Sequence, residues 1–314
     1  MADNLLVSTS PHLHSHNSTR RIMLDVIIAL LPAAIASIIL YGLKAAIIIA
    51  VCVATSVEAE CLFNMLAKKE QTVGDFSAIV TGLLLALNLP AKANVWHCFV
   101  GSIFAIVIVK CVFGGLGRNF ANPAITARVF LLIAFSKLAG GSATNFMSPE
   151  LVASATPLEV IKSGEGTLPT LLEMLVGNRG GAIGEGCAIA LIIGFIYLVV
   201  RKVIHIEPTL IFVGTVFALS LIIKQDLTLA TYEILGGGLL LGAIFMATDY
   251  VTTPTSKRGK MLFCFFCGII TVLIRFFGYY PEGVSFSILI MNIFSPYIEK
   301  LCRRKPLGVG GAKK

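Results

Sequence analysis

Apolar residues in this chain gather into ten long runs: 22–41, 43–66, 76–90, 95–113, 123–138, 182–200, 206–223, 230–248, 261–278 and 283–300. A helix needs about 20 mostly apolar residues to cross a bilayer, and fewer where protein surrounds it. The pattern therefore predicts ten transmembrane helices. The third and eighth runs are short or interrupted. The third ends at Asn88-Leu89-Pro90. The eighth opens on Gly236-Gly237-Gly238 and runs into Asp249-Tyr250-Val251-Thr252-Thr253-Pro254. Between the fifth and sixth runs lies the longest polar break, 139–181. Within it Leu168, Leu171, Leu172 and Leu175 recur at helical spacing, which predicts a short amphipathic helix on the membrane surface.

Composition sharpens this into a class. The chain has 314 residues, of which 56% are hydrophobic and 13% charged; soluble domains carry about 25% charged residues. An all-α polytopic membrane protein is expected. The net charge of +8 points to anionic membrane lipid, not nucleic acid, because the basic residues flank apolar runs. The polar start, Met1–Arg20, has no signal-peptide pattern. Of 25 Lys and Arg, 17 fall in one alternate set of loops and tails and 6 in the other, with Arg128 and Arg275 inside runs. The first set includes Lys110, Arg118, Lys257 and the tail 301–314. By the positive-inside rule both termini are cytoplasmic and the 139–181 loop lies outside. That loop divides the chain into a tail 1–21, a five-helix half 22–138, a five-helix half 182–300 and a basic tail. Gly82-Leu-Leu-Leu85 recurs as Gly238-Leu-Leu-Leu241 in the matching run. An odd number of helices per half makes such a repeat inverted.

Candidate chemistry is sparse. Eight cysteines lie mostly in apolar runs; Cys264-Phe-Phe-Cys267 lacks the second pair of a metal site, and His12, His14 and His16 lack a fourth ligand. No metal site is expected. Polar residues in spans are functional candidates by default. Asp25 and Arg128 sit deepest, and Asp25 suggests an ion path that Asp25→Asn would test. Glu58, Glu60 and Arg275 sit near run ends, where snorkelling to the interface is the simpler reading. The turn Gly114-Gly115-Leu116-Gly117-Arg118-Asn119-Phe120-Ala121-Asn122-Pro123 is neither a P-loop nor a Rossmann turn. It reads either as a capped re-entry, with Asn122 as N-cap and Pro123 in the first turn, or as an asparagine pair for the edge of a planar heterocycle.

Taken together, Ser10-Pro11-His12, Ile22-Met23-Leu24-Asp25, Asp75-Phe76-Ser77, Asn88-Leu89-Pro90, the glycine-rich turn, Ala155-Thr156-Pro157-Leu158 and Phe245-Met246-Ala247-Thr248-Asp249-Tyr250 resemble the RnfD/NqrB family of membrane redox subunits. The short N-terminal tail resembles the RnfD branch. The resemblance implies ten spans in two inverted five-helix repeats. It implies a subunit of an ion-translocating (Na+ or H+) ferredoxin:NAD+ oxidoreductase, the Rnf complex of the bacterial inner membrane. Its partners would be subunits of the RnfA, RnfB, RnfC, RnfE and RnfG types, which hold the NAD and iron–sulfur sites.

The resemblance also implies two flavins. FMN would be linked covalently through its phosphate to Thr156 on the outer side. Ser154 stands where the family's attachment signal has glycine. Arg275, on the same face, is a candidate to offset the phosphate charge. Riboflavin would bind noncovalently on the cytoplasmic side, with Asn119 and Asn122 matching its asparagine pair and Asp249, Thr252 and Thr253 nearby. The ring chemistry belongs to the cofactor; the protein supplies position and electrostatics. A stand-alone small-solute transporter or channel is the alternative from a different class, since inverted repeats with broken helices suit it equally.

Overall fold

The structure is a computed structural model that describes residues 18–135, 156–164, 168–177, 179–278 and 282–302. Ser154, the histidine run and most of both tails lie outside the described residues. Every regular element among the described residues is helical.

The first set of helices is α1 (Thr19–Tyr41), α2 (Leu43–Leu66), α3 (Ser77–Asn88), α4 (Val95–Ile103, continuing as a π-helix over Phe104–Cys111) and α5 (Pro123–Ala134). Two short helices follow, α6 (Pro157–Ser163) and α7 (Leu171–Val176). The second set is α8 (Ala188–Val200), α9 (Ile206–Lys224), α10 (Leu227–Leu235), α11 (Leu239–Leu241, continuing as a π-helix over Gly242–Met246), α12 (Lys257–Phe277) and α13 (Val284–Cys302). Four helices, α1, α2, α9 and α12, are long and apolar enough to cross a membrane. The bent pair α10–α11 makes a fifth candidate, with a 59° bend at its break. Shorter apolar helices, α3, α4 with its π extension, α5 and α8, pack among them. Exposed Ile35, Ile39, Leu62, Ile193, Ile196 and Ile222 give the bundle the apolar outer surface that lipid requires.

The helices assemble around one main core, with a smaller cluster of Ala59, Ala78, Ile106 and Cys111 beside it. α2 packs on α3 and α4; α9 packs on α10 and α12; α1 meets α8, and α5 meets α13. The α1–α8 contact is close because Gly194 has no side chain: a Cβ there would lie 2.3 Å from the Ala29 carbonyl oxygen. Small residues are what let helix backbones approach in lipid. At one end of this contact Arg201 Nε and Nη2 donate to the Asp25 carboxylate at 3.2 and 3.3 Å, and the Tyr197 hydroxyl adds a third bond at 3.0 Å.

Two helix breaks flank the turn at 183–185, which touches both α3 and α11. After α3, Leu89 turns extended and its carbonyl accepts from Ile183 N at 2.9 Å, beside a Pro90–Ala182 bridge. After α10, Gly237 and Gly238 take left-handed φ values of 62° and 67°, which glycine adopts without strain. The break frees carbonyls that hydrocarbon cannot satisfy. Two buried arginines take them. Arg179 Nη2 donates to Leu235 O at 2.5 Å, and Arg275 reaches Glu233 O, Gly236 O and Gly237 O at 2.6–3.4 Å.

The sequence expectations need three corrections here. Lys110 is not a loop residue; it is 1% exposed within the π-helical half of α4, bonded to Glu60. Glu60 and Arg275 do not snorkel. Each is buried in an ion pair, Glu60 with Lys110 at 2.8 Å and Arg275 with Glu233 at 2.9 Å. A partner on a distant helix replaces the interface water that snorkelling would seek. The expected short leucine-bearing helix is present as α7, over Leu171–Val176, with Met174 buried and Leu172 exposed; Leu168 lies before it. Glu58 is exposed as expected.

Candidate cofactor cavities

One cavity, called inner after the side that the charge pattern leads one to expect, forms where α1, α3, α4, the glycine-rich turn, α8 and the segment 244–251 converge. It encloses about 770 Å³, open mouth included, within the range of about 300–1,000 Å³ usual for small-molecule sites. Its walls are mainly aliphatic, with Phe245 and Tyr250 supplying ring surface. The polar groups are Ser77, Thr81, Lys110, Asn119, Asn122, Thr248 and Asp249.

The glycine-rich turn places the two asparagines. Gly114, Gly115 and Gly117 have φ of 111°, 89° and 91°, and the chain then enters α5 through Asn122 and Pro123. Asn122 Oδ1 accepts from Ala124 N and Ile125 N at 3.0 and 3.4 Å, so it is the N-cap that the sequence suggests. Asn119 Oδ1 is buried with no hydrogen-bond partner. A buried unpaired carbonyl costs about 1–3 kcal/mol, so a ligand N–H would be bound favourably there. Asp249 closes the opposite wall and accepts from Val251 N and Thr252 Oγ1 at 3.2 and 3.1 Å. Burial pushes its carboxyl above the ordinary value. Thr252 is buried behind Asp249 and does not line the cavity. These residues fit a flat, mostly apolar heterocycle with polar edges.

A second cavity of about 440 Å³ lies at the other end, lined by Leu158, Ile161, Lys162, Lys224, Glu233, Arg275 and Phe276. Thr156 stands beside it as the N-cap of α6. Its Oγ1 accepts from Glu159 N at 3.2 Å, and Glu159 returns a carboxylate to Thr156 N at 2.7 Å. Thr156 itself is buried, with 4% of its surface exposed. Leu158, two residues on, packs against Gly236 and Gly237 and ties this hydroxyl to the α10 break. Lys162, Lys224 and Arg275 give the cavity a basic lining suited to a phosphate, although Arg275 is also held by Glu233 and three carbonyls. Nearby, Arg128 pairs with Glu282 at 3.2 Å. Glu185 contributes a further buried carboxylate to this group.

Sequence reasoning brought Asn119, Asn122 and Asp249 together and set Thr156 and Arg275 at the other end. It missed Ser77, Thr81, Lys110 and Tyr250 in one cavity, and Lys224, Glu233 and Phe276 in the other. Lys110 and Glu233 carried a readable signal, a charge inside an apolar run; the others did not.

A helical membrane protein whose two sets of helices enclose a ligand-sized cavity, with broken helices behind it, is the class these features define. The chain belongs to the NQR2, RnfD, RnfE family, whose pattern it matches over residues 6–308. It is 44% identical to the D subunit of the Na(+)-translocating ferredoxin:NAD(+) oxidoreductase complex of Acetobacterium woodii, over 99% of this chain and 98% of that protein. The D subunit of the proton-translocating ferredoxin:NAD(+) oxidoreductase complex of Clostridium ljungdahlii is 35% identical over 96% of each. The D subunit of the ion-translocating oxidoreductase complex of Stutzerimonas stutzeri is 34% identical over 93% of each.

Proposed function

We propose that this chain is the flavin-carrying membrane subunit of an ion-translocating ferredoxin:NAD+ oxidoreductase, relaying electrons between the other subunits of that complex. The observation that carries this reading is 44% identity, along almost the whole of both chains, to the D subunit of such a complex. That match also favours the relay over the solute-transporter alternative.

The reading includes ten spans in two inverted halves. The matching neighbours of α2 and α9 and the pairing of α1 with α8 and of α5 with α13 support it. Both termini are cytoplasmic and the segment 139–181 is outside, on the strength of the Lys and Arg distribution. FMN is carried on Thr156 by a phosphoester, with its phosphate toward the basic cavity of Lys162, Lys224 and Arg275. Riboflavin occupies the inner cavity, where Asn119 and Asn122 meet its polar edge. When bound, these groups accept and pass electrons; the chain's own residues hold, orient and desolvate them.

Intact-mass measurement of the purified chain tests the outer site. An added mass of one FMN minus water is expected, with in-gel flavin fluorescence that Thr156→Ala abolishes. An unmodified wild-type mass would remove the covalent flavin from the reading. Acid-released riboflavin tests the inner site, and Asn119→Ala should lower its content several-fold.

A further inference from the structure

One wall of the inner cavity is an ion pair that holding a ring does not require. Lys110 Nζ donates to both Glu60 oxygens at 2.8 Å and to Ser77 Oγ at 2.6 Å. Lys110 and Ser77 both face the cavity. Behind Glu60 the chain of hydrogen bonds goes on. Thr72 Oγ1 donates to Glu60 Oε1 at 2.6 Å, and Asn64 Nδ2 donates to Thr72 Oγ1 at 3.0 Å. Thr72 is exposed. A side branch runs from Ser77 Oγ to Asp75 Oδ1. The result is a continuous line of exchangeable protons from the cavity wall to water.

Stability alone gives little reason for this arrangement. A buried ion pair is often no better than apolar side chains of the same volume. Lys110 also sits in a π-helical stretch, a backbone form that often marks functional positions. The other titratable groups around the pair are Asp75, Cys111 and Lys69, with Asp249 and Tyr250 on the cavity wall.

We propose that Lys110, Glu60 and Thr72 form the proton inlet of a redox heterocycle bound in the inner cavity. This rests on the flavin reading of that cavity. Reduction of that ring would need two electrons, delivered one at a time by reduced one-electron carriers elsewhere in the complex, and two protons, which this inlet would supply. For each proton, an N–H bond of the Lys110 ammonium breaks and a bond from hydrogen to a ring nitrogen forms. The neutral Lys110 amine is then reprotonated by Glu60, which has taken its proton from water through the Thr72 hydroxyl. Lys110 and Glu60 end each cycle as ammonium and carboxylate.

The test is stopped-flow reduction of the purified complex, following flavin absorbance and proton uptake by a pH-indicator dye. Lys110→Ala should slow proton uptake at least tenfold, and added methylammonium should restore it in proportion to its concentration. Thr72→Val, at the exposed end, should slow it several-fold, and Thr72→Ser should not. The double variant K110Q/E60Q keeps a neutral hydrogen-bonded pair, so it should keep its flavin and yet stay slow. Wild-type rates in Lys110→Ala and Thr72→Val would overturn the inlet. So would a slow Lys110→Ala that methylammonium leaves slow, or loss of flavin from both Lys110 variants, since the pair would then serve the fold or hold the ring. Filling the cavity with Thr81→Trp separates the two levels. If noncovalent flavin survives that change, the cavity reading fails and the inlet with it; if flavin is lost there but Lys110→Ala is fast, the inlet alone fails.

Discussion

Asn122 takes the first of the two jobs that the sequence left open, the helix cap, from a place on the cavity wall. The cap was readable because Asn before Pro at the head of an apolar run is a local signal. The unpaired Oδ1 of Asn119 was not, because burial depends on what distant segments bring. Asp249 allows a test by pH. Its carboxyl is pushed above the ordinary 3.8 by burial, against hydrogen bonds from Val251 and Thr252 and the charge of Lys260. A carboxyl whose pKa is higher when folded binds its proton more tightly in the folded chain. Its contribution is full below the ordinary value and is lost as pH rises through the raised one. Asparagine mimics the protonated acid, so Asp249→Asn should gain thermal stability relative to wild type as pH rises from about 4 toward neutrality. A stability difference that stays flat with pH would contradict this.

At the level of elements, helix limits were legible to within a few residues wherever apolar runs were long. The breaks in the third and eighth runs were legible too, from Asn88-Leu89-Pro90 and the three glycines. What closes the second break was not. Arg275 lies 42 residues from Glu233 in the chain, and Lys110 lies 50 from Glu60. No periodicity links such pairs, so a cation near a run end was assigned to the interface. The consequence is measurable. Arg275→Ala leaves Glu233 buried without its partner and uncovers the carbonyls of the α10 break. Losing one partner of a buried pair costs about 3–5 kcal/mol. A clear fall in detergent melting temperature is expected, and R275A/E233A should recover part but not all of it, because the carbonyls stay bare. Full recovery would show that the carbonyl contacts carry no weight.

For the whole molecule, the ten-run pattern and the charge asymmetry set a topology that labelling can check. Lys162 and Arg258 are both exposed and lie on opposite sides in the proposed arrangement. In intact cells a membrane-impermeant maleimide should modify Lys162→Cys and spare Arg258→Cys, on a background lacking reactive native cysteines. Permeabilised cells should label both. Reversed labelling would invert the topology and exchange the sides of the two cavities.

The Asp25–Arg201–Tyr197 contact, together with the Gly194 approach, fastens the first helix of one set to the first helix of the other. A solute carrier must rock its halves past each other, and a clamp of this kind at the seam resists such motion. A conductor of electrons has the opposite need. Tunnelling rates fall exponentially with the gap between donor and acceptor, so a wire of separate pigments works only if its spacing does not wander. The same fastening that would hinder a pump built on swinging parts would keep the jumps in such a wire constant in length.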